Sequence, residues 1–341
     1  MRLRILSFVG ALAASGVICS GAAAAGGPPP PTPPNGHPVQ LVASGLNTPT
    51  SFAFGVGKVF EGDGGSTGAH PPNGGVFLLR NGTATKLPHS PNFVAGLAWR
   101  NGTLYISSGT FTKQGPKFQL LAWSGWNGTA FANRRAIYTA PKRFDGFNGL
   151  AFGPDGRLYV GVDVGLTNNN DHGPASTPYL YDILSIKTNG TGLKVFASGM
   201  RQPWQLAFPR GSSSPFVSDL GQDTGALNPP DFLLRVRRGD NYGFPACNWT
   251  KAKVCKGYAK PFKMFAPHTD VMGVGIIGAQ LYLSEFLGNG GKSGLVVSMP
   301  MTGGTPKTLV TGFVAPVVGL GVHDGWVYIG ELSGQVFRVR A

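Results

Sequence analysis

Asn148 to Val164 reads NGLAFGPDGRLYVGVDV. Leu150, Ala151 and Phe152 form a short apolar run. Gly153-Pro154-Asp155-Gly156 supplies turn chemistry, and Leu158, Tyr159 and Val160 suit a half-buried strand. The unit recurs. Val94-Ala95-Gly96-Leu97-Ala98-Trp99 passes through Arg100-Asn101-Gly102-Thr103 into Leu104-Tyr105-Ile106. Val318-Gly319-Leu320-Gly321-Val322 passes through His323-Asp324-Gly325 into Trp326-Val327-Tyr328-Ile329. Weaker copies begin near Pro49, Pro203 and Met272. The six starts lie about 45 to 55 residues apart, with one longer interval. Repeated all-β units at this period predict the blades of a six-bladed β-propeller, each a four-stranded sheet. One blade cannot bury both of its faces, so the ring must close. The strand at 39–44 is expected to complete the blade formed by 316–340, because joining the terminal strands hides sheet edges.

The chain holds 341 residues, of which 42% are hydrophobic, 13% charged and 53 are glycine. One propeller can use nearly all of that length. Arg2 and Arg4, the apolar run Leu6–Ile18 and the small residues through Ala25 have the order of a secretory signal, placed at 1–25. Ile18 is too bulky for the usual lipidation signal before Cys19. Residues 26–38 (GGPPPPTPPNGHP) read as an extended, solvated tether, and 39–341 as the propeller. No other apolar run has the length of a membrane span. The expected location is therefore secreted, periplasmic or extracellular.

The formal charge is +14, or +12 once Arg2 and Arg4 leave with the signal. Such a charge favours anionic surfaces, and an anionic cell-surface polymer fits an exported chain. The basic residues are scattered and no recognition helix is visible, so nucleic acid is not expected. Cys247 and Cys255 stand close together in an exported protein, which favours a small-loop disulfide. A reduced buried pair and a two-thiolate metal site are the other options. The Asn-x-Thr sequons at Asn81, Asn101, Asn127, Asn189 and Asn248 mostly coincide with Asn-Gly turns, which explain them without sugar.

Loops entering the inner strands of a propeller line one mouth of the ring. Among their polar residues, Arg201-Gln202 offers a guanidinium able to clamp a carboxylate or phosphate. Asp219, Gly221, Gln222 and Asp223 offer hard oxygens suited to calcium. Asp163, Asp219, Glu285 and Glu331 each follow a repeat strand, which suggests one shared structural turn. His268, just before a repeat, is the histidine best placed as a general base. No HExxH, GxSxG, GxGxxG with a βαβ unit or GxxxxGK[ST] occurs, so zinc hydrolases, the serine elbow and nucleotide folds are unsupported.

Three further stretches carry a resemblance. They are Ser198-Gly199-Met200-Arg201-Gln202-Pro203-Trp204, Asp219-Leu220-Gly221-Gln222 and Gly239-Asp240-Asn241-Tyr242-Gly243-Phe244-Pro245-Ala246-Cys247. With 150–160 they make the chain resemble the soluble quinone-dependent glucose/sorbosone dehydrogenase family from about Val39 to Arg340. The resemblance implies a six-bladed propeller, pyrroloquinoline quinone at the channel mouth, calcium beside it, and oxidation of a sugar or polyol. It implies that Arg201 and Gln202 lie by the cofactor or substrate and that oxygens around Gly221 and Gln222 hold calcium. The family's histidine stands five residues before the Leu of LAFGPDG. That place is Asp145 here, a carboxylate that becomes an effective base when burial raises its pKa. Lys292 and Lys307 are candidates for gripping the quinone. Two alternatives use the same fold: a non-catalytic carbohydrate or cell-surface binding propeller, with Phe147 and Trp204 as stacking surfaces, and a lactonase-like enzyme with a central cation.

Overall fold

The computed structural model describes residues 31–33, 36, 38–66, 69, 71–164, 177–222, 228–288 and 293–341. The signal at 1–25, most of the tether, Asp223 and Lys292 lie outside the described residues. Among the described residues there are 24 named elements, all of them strands. After β1 (Gln40–Ser44) they follow in groups along the chain: β2 (Pro49–Gly55), β3 (Lys58–Asp63), β4 (Gly75–Arg80), β5 (Gly82–Lys86); β6 (Phe93–Arg100), β7 (Thr103–Thr112), β8 (Gly115–Trp126), β9 (Phe131–Thr139); β10 (Phe147–Phe152), β11 (Leu158–Val162), β12 (Ile183–Ile186), β13 (Lys194–Ala197). The second half continues with β14 (Pro203–Ala207), β15 (Phe216–Asp219), β16 (Asp231–Arg235), β17 (Lys263–Phe265); β18 (Val271–Ile277), β19 (Gln280–Glu285), β20 (Leu295–Pro300), β21 (Lys307–Val310); and β22 (Val317–His323), β23 (Trp326–Glu331), β24 (Gln335–Arg340).

Four sheets have four strands each, in chain order. The fifth has eight, ordered β2-β3-β4-β5-β1-β24-β23-β22. In it β1 pairs antiparallel with β24, Gln40 opposite Arg338, and parallel with β5. The N-terminal strand thus joins the C-terminal ones, and its other edge is covered as well. The opening strands of successive groups pack side by side: β2 on β6, β6 on β10, β10 on β14, β14 on β18, β18 on β22, and β22 on β2. The result is a β-propeller-like ring.

The recurring glycine of the repeat has a steric cause. A Cβ on Gly96 of β6 would stand 2.7 Å from the Leu150 nitrogen of β10, and one on Gly149 would stand 2.8 Å from the Trp204 carbonyl oxygen of β14. Only a residue without a side chain lets the inner strands come so close. In the copies lacking this glycine, Ser51 and Gln205 take its place and line a small central cavity. Gln205 spans the ring. Its Nε2 donates to the Leu320 carbonyl at 2.9 Å, and its Oε1 accepts from the Val274 N–H at 3.2 Å. The apolar residues pack between neighbouring sheets, as where Phe147, Leu158, Leu184 and Leu120 meet.

A second repeat feature is the acid that ends the second strand. Asp63 accepts the Asn47 N–H at 2.7 Å, Asp219 the Gln202 N–H at 2.7 Å, and Glu331 the Ala315 N–H at 3.4 Å. Each carboxylate ties the loop entering its own sheet, in keeping with a shared structural turn. The Pro-rich segment departs from a wholly solvated tether at Thr32, which exchanges backbone hydrogen bonds of 2.7 and 3.0 Å with Thr311. Extended backbone with unspent N–H and C=O groups adds readily to an exposed edge.

Candidate functional site

In sheets of successive antiparallel strands, the connections alternate between the two ends. Turns from first to second strand lie at one end. Loops entering each first strand and leaving each second strand lie at the other, and the candidate residues gather there. Arg201 and Gln202 precede β14 and are buried, at 3% and 2% exposure. The Gln202 N–H is held by Asp219 Oδ1, and its side-chain Nε2 donates to Asp163 Oδ1 at 3.4 Å. Arg201 Nη1 donates to the Leu220 carbonyl at 3.2 Å and closely to the Gly221 carbonyl. The Gly221 N–H in turn donates to Asp231 Oδ1 at 2.6 Å, while Asp231 Oδ2 accepts the Asp270 N–H at 2.8 Å.

Asp145 lies at the other end of this chain of contacts. It is half-buried, next to Gly146, whose carbonyl accepts the Asp163 N–H at 2.9 Å. Its Oδ2 is shielded from water and has no hydrogen-bond partner. Burial, and then the charge of Asp163, raise its pKa to about 6. A carboxyl poised there accepts a proton near neutral pH far better than an ordinary aspartate does. Burial also lifts Asp219 to about 7, against the opposing pull of the Gln202 N–H and Arg201. His268 sits in the loop before β18 with φ +61°, two residues from the Asp270 N–H that Asp231 holds. The contacts therefore bring together Asp145, Asp163, Gln202, Asp219 and Arg201, and join the His268 loop to them through Asp231.

Residues 236–262, between β16 and β17, form an insertion. It leaves β16 at the hairpin end, reaches the loop end at Asn248 and comes back to enter β17 opposite Leu233. On the way it runs beside β13 and the residues that follow it. Gly239 N–H donates to Phe196 O at 2.8 Å, Tyr242 N–H to Ser198 O at 3.0 Å and Phe244 N–H to Gly199 O at 2.9 Å. The Cys247–Cys255 disulfide forms, with Cα atoms 5.1 Å apart, which decides between the options for this pair. Asn248 Nδ2 donates to Gln222 Oε1 at 3.0 Å. Between insertion and sheet lies a small, partly open cleft. Tyr242, Phe244, Trp249, Phe232 and Pro261 give it apolar walls, with Arg201, Asp219 and Gln222 on its polar side. The indole Nε1 of Trp249 is buried without a partner.

In chemical type these groups suit one edge of a flat, carboxylated ring such as a pyrroloquinoline quinone. Aromatic walls, a buried guanidinium and an unspent indole N–H are complementary to it. Calcium does not fit the described donors. The Leu220 and Gly221 carbonyls and the Gln222 side-chain oxygen are already engaged by the chain's own donors. Phe147 and Trp204 are buried at 1% and 4% exposure, so neither offers an open stacking face. Lys307 lies on the outer strand β21, away from this site. Sequence reasoning missed Asp231, Asn248 and Trp249. The signal for Asp231 was its place at a strand start directly after Pro229-Pro230, next to Phe232, which pairs with Asp219.

No family model and no curated sequence matches the chain. Solved structures do. An oxidoreductase described as a glucose dehydrogenase, from Thermus thermophilus, superposes with a TM-score of 0.70 at 20% identity, covering 89% of this chain and 100% of that one. The PQQ-bound aldose sugar dehydrogenase of Streptomyces coelicolor gives 0.67 at 17% identity, over 91% and 99%. The chain has the fold of these sugar dehydrogenases. A gluconolactonase-type protein is similar at 0.58 and 16% identity, over 90% and 93%. No helix of the described residues is long and apolar enough to cross a membrane.

Proposed function

We propose that the protein is a six-bladed β-propeller oxidoreductase that oxidises a sugar or polyol with pyrroloquinoline quinone. The propeller spans 39–341, behind a secretory signal at 1–25 and a tether at 26–38, and the mature protein is exported. The observation that carries the reading is Asp145. A shielded, unpartnered carboxylate oxygen with a pKa near 6 stands where the resembling family has its proton-accepting histidine. Likeness of fold to glucose and aldose sugar dehydrogenases supports the same chemistry. A bound quinone supplies the two-electron acceptor. Asp145 Oδ2 takes the proton of the hydroxyl being oxidised. Asp163 and Gln202 fix the loop around it, and the Arg201 guanidinium attracts ligand carboxylates. The aromatic walls of the cleft exclude water. The basic surface keeps the protein near anionic cell-surface polymer.

The lactonase-like alternative needs a cation at the ring centre held by inward side chains. The small cavity between the inner strands β2, β6, β10 and β14 is lined by Thr50, Ser51, Gln205 and otherwise apolar groups or glycine, with no carboxylate. The deciding experiment is titration of the mature protein with pyrroloquinoline quinone, followed by dye reduction over a panel of sugars and polyols. Binding with turnover, lost in Asp145→Asn, is expected. No binding up to roughly 100 μM, about −5.5 kcal/mol, overturns the enzyme reading and leaves a binding propeller.

A further inference from the structure

We propose that the Arg201 guanidinium is the built-in cation of this site, seated on the carbonyl oxygens that a calcium ion would otherwise use, so that the site works without calcium. The Leu220 and Gly221 carbonyls converge beside the Asp219 carboxylate, the type of hard-oxygen group that holds calcium. In this protein both carbonyls accept from one guanidinium nitrogen. The arrangement is locked rather than incidental. Gly221 N–H is fixed on Asp231, and the other Asp231 oxygen is fixed on Asp270 N–H. The carbonyls therefore cannot turn to serve two cations at once. Two further oxygens beside them are also engaged: Gln222 Oε1 by Asn248 Nδ2, and Asp219 Oδ1 by the Gln202 N–H.

Arginine keeps its charge at every working pH, so the position is never vacated by deprotonation. A divalent ion at the same oxygens would meet that charge at close range in a buried setting, where repulsion is weakly screened. Arg201 is only 3% exposed, and a buried cation stays where its acceptors are. The resemblance assigns the arginine to the cofactor and the carbonyls to calcium as separate functions. The structure joins them into one contact.

The test uses the mature protein without quinone, so it stands independently of any dehydrogenase activity. Thermal unfolding is followed in excess calcium and in EGTA, alongside terbium luminescence sensitised by Trp249 in the same cleft. The wild type is expected to give the same Tm in both and no sensitised emission. Arg201→Met frees the carbonyls, and is expected to gain calcium-dependent stabilisation of about 4 °C at a hundredfold excess over Kd, together with terbium emission. Arg201→Lys keeps the charge and is expected to behave as the wild type. A calcium-dependent rise in the wild type that Asp219→Asn removes overturns the proposal. So does an Arg201→Met protein that folds and gains nothing. If Arg201→Met does not fold, the wild-type and Arg201→Lys measurements decide.

Discussion

At one end of the ring the chain reverses on Val56-Gly57, Asn81-Gly82, Asn101-Gly102 and Asp324-Gly325, with φ between 48° and 82°. At the other end positive φ values fall on glycines such as Gly45, Gly146 and Gly334, and also on the non-glycine residues His89, Arg143, Tyr179, Tyr181, Asn228, His268 and Asp270; these last form the second set. The first set is mostly residues for which the left-handed region is cheap, and the turns connect strands directly. The second set is mostly bulky residues in long connections, where each such conformation costs on the order of 1–2 kcal/mol and persists only if its surroundings hold it. Tyr181 is held against Phe244, and Asp270 by its N–H on Asp231. Non-glycine backbone strain thus gathers at the loop end, where Asp145 Oδ2 and Trp249 Nε1 are also buried without a partner, while the hairpin end closes on local turns.

The sharpest way to break this contrast is at Asp145. Asp145→Asn removes the base and keeps the shape. It is expected to lower kcat by 10² to 10⁴ while Tm stays within about 2 °C. In the unaltered protein kcat/KM should rise through about pH 6 as this carboxyl deprotonates. A flat pH profile, or full activity in the variant, would show that the loop end carries no base at this position.

Next in size is the acid beneath the site. Burial raises Asp219 to about 7 in the folded protein, above its unfolded value. A raised carboxyl pKa means stability is fully present below the unfolded pKa and is lost as pH rises through the folded one. Stability should therefore fall between about pH 4 and pH 7.5, by an amount on the order of 2–4 kcal/mol from this group. Asp182, also raised to about 7 by burial, adds to the same slope. Asp219→Asn retains the acceptor for Gln202 N–H and should flatten the curve. An unchanged slope in the variant would remove Asp219 as its source.

The repeat, the all-β class, the joining of terminal strands and the Cys247–Cys255 bridge were legible because local chemistry carries them. A Gly-Pro-Asp-Gly turn or an apolar run means nearly the same thing wherever it occurs. The site was legible only in part. Arg201, Gln202, Asp219 and Asp145 stood out as residue types at recurring positions. Their partners did not, because the Arg201–Gly221 contact, the two-sided role of Asp231 and the return of the insertion to Gln222 depend on which loops meet in space. Phe147 and Trp204 were misplaced for the same reason. Their exposure is set by neighbouring sheets, not by the mouth-facing loops they adjoin.

Opening the disulfide tests how far the insertion supports the loop end. Cys247 and Cys255 are eight residues apart, and both are buried. A loop of this size stabilises by roughly 2–3 kcal/mol through the entropy of the unfolded chain. The double change Cys247→Ser with Cys255→Ser should lower Tm by several degrees and speed amide exchange at 241–250, with the hairpin end unaffected. Equal loss of protection at both ends would mean that the insertion supports the whole ring.

The smallest effect belongs to the hairpin end. Val56 is β-branched, 52% exposed and held at φ +49° before Gly57. The other three turns of this type put Asn or Asp at that position, where a short polar side chain tolerates the left-handed region. Val56→Asn should therefore relieve strain without losing a buried contact, raising stability by about 1 kcal/mol and leaving ligand binding at the far end untouched. If denaturant unfolding shows no gain, this turn draws compensating contact from Val56, and the hairpin end is less purely local than its sequence suggests. A gain at Val56 beside a loss from the equivalent relaxation His268→Asn would separate strain that is merely tolerated from strain that the site requires.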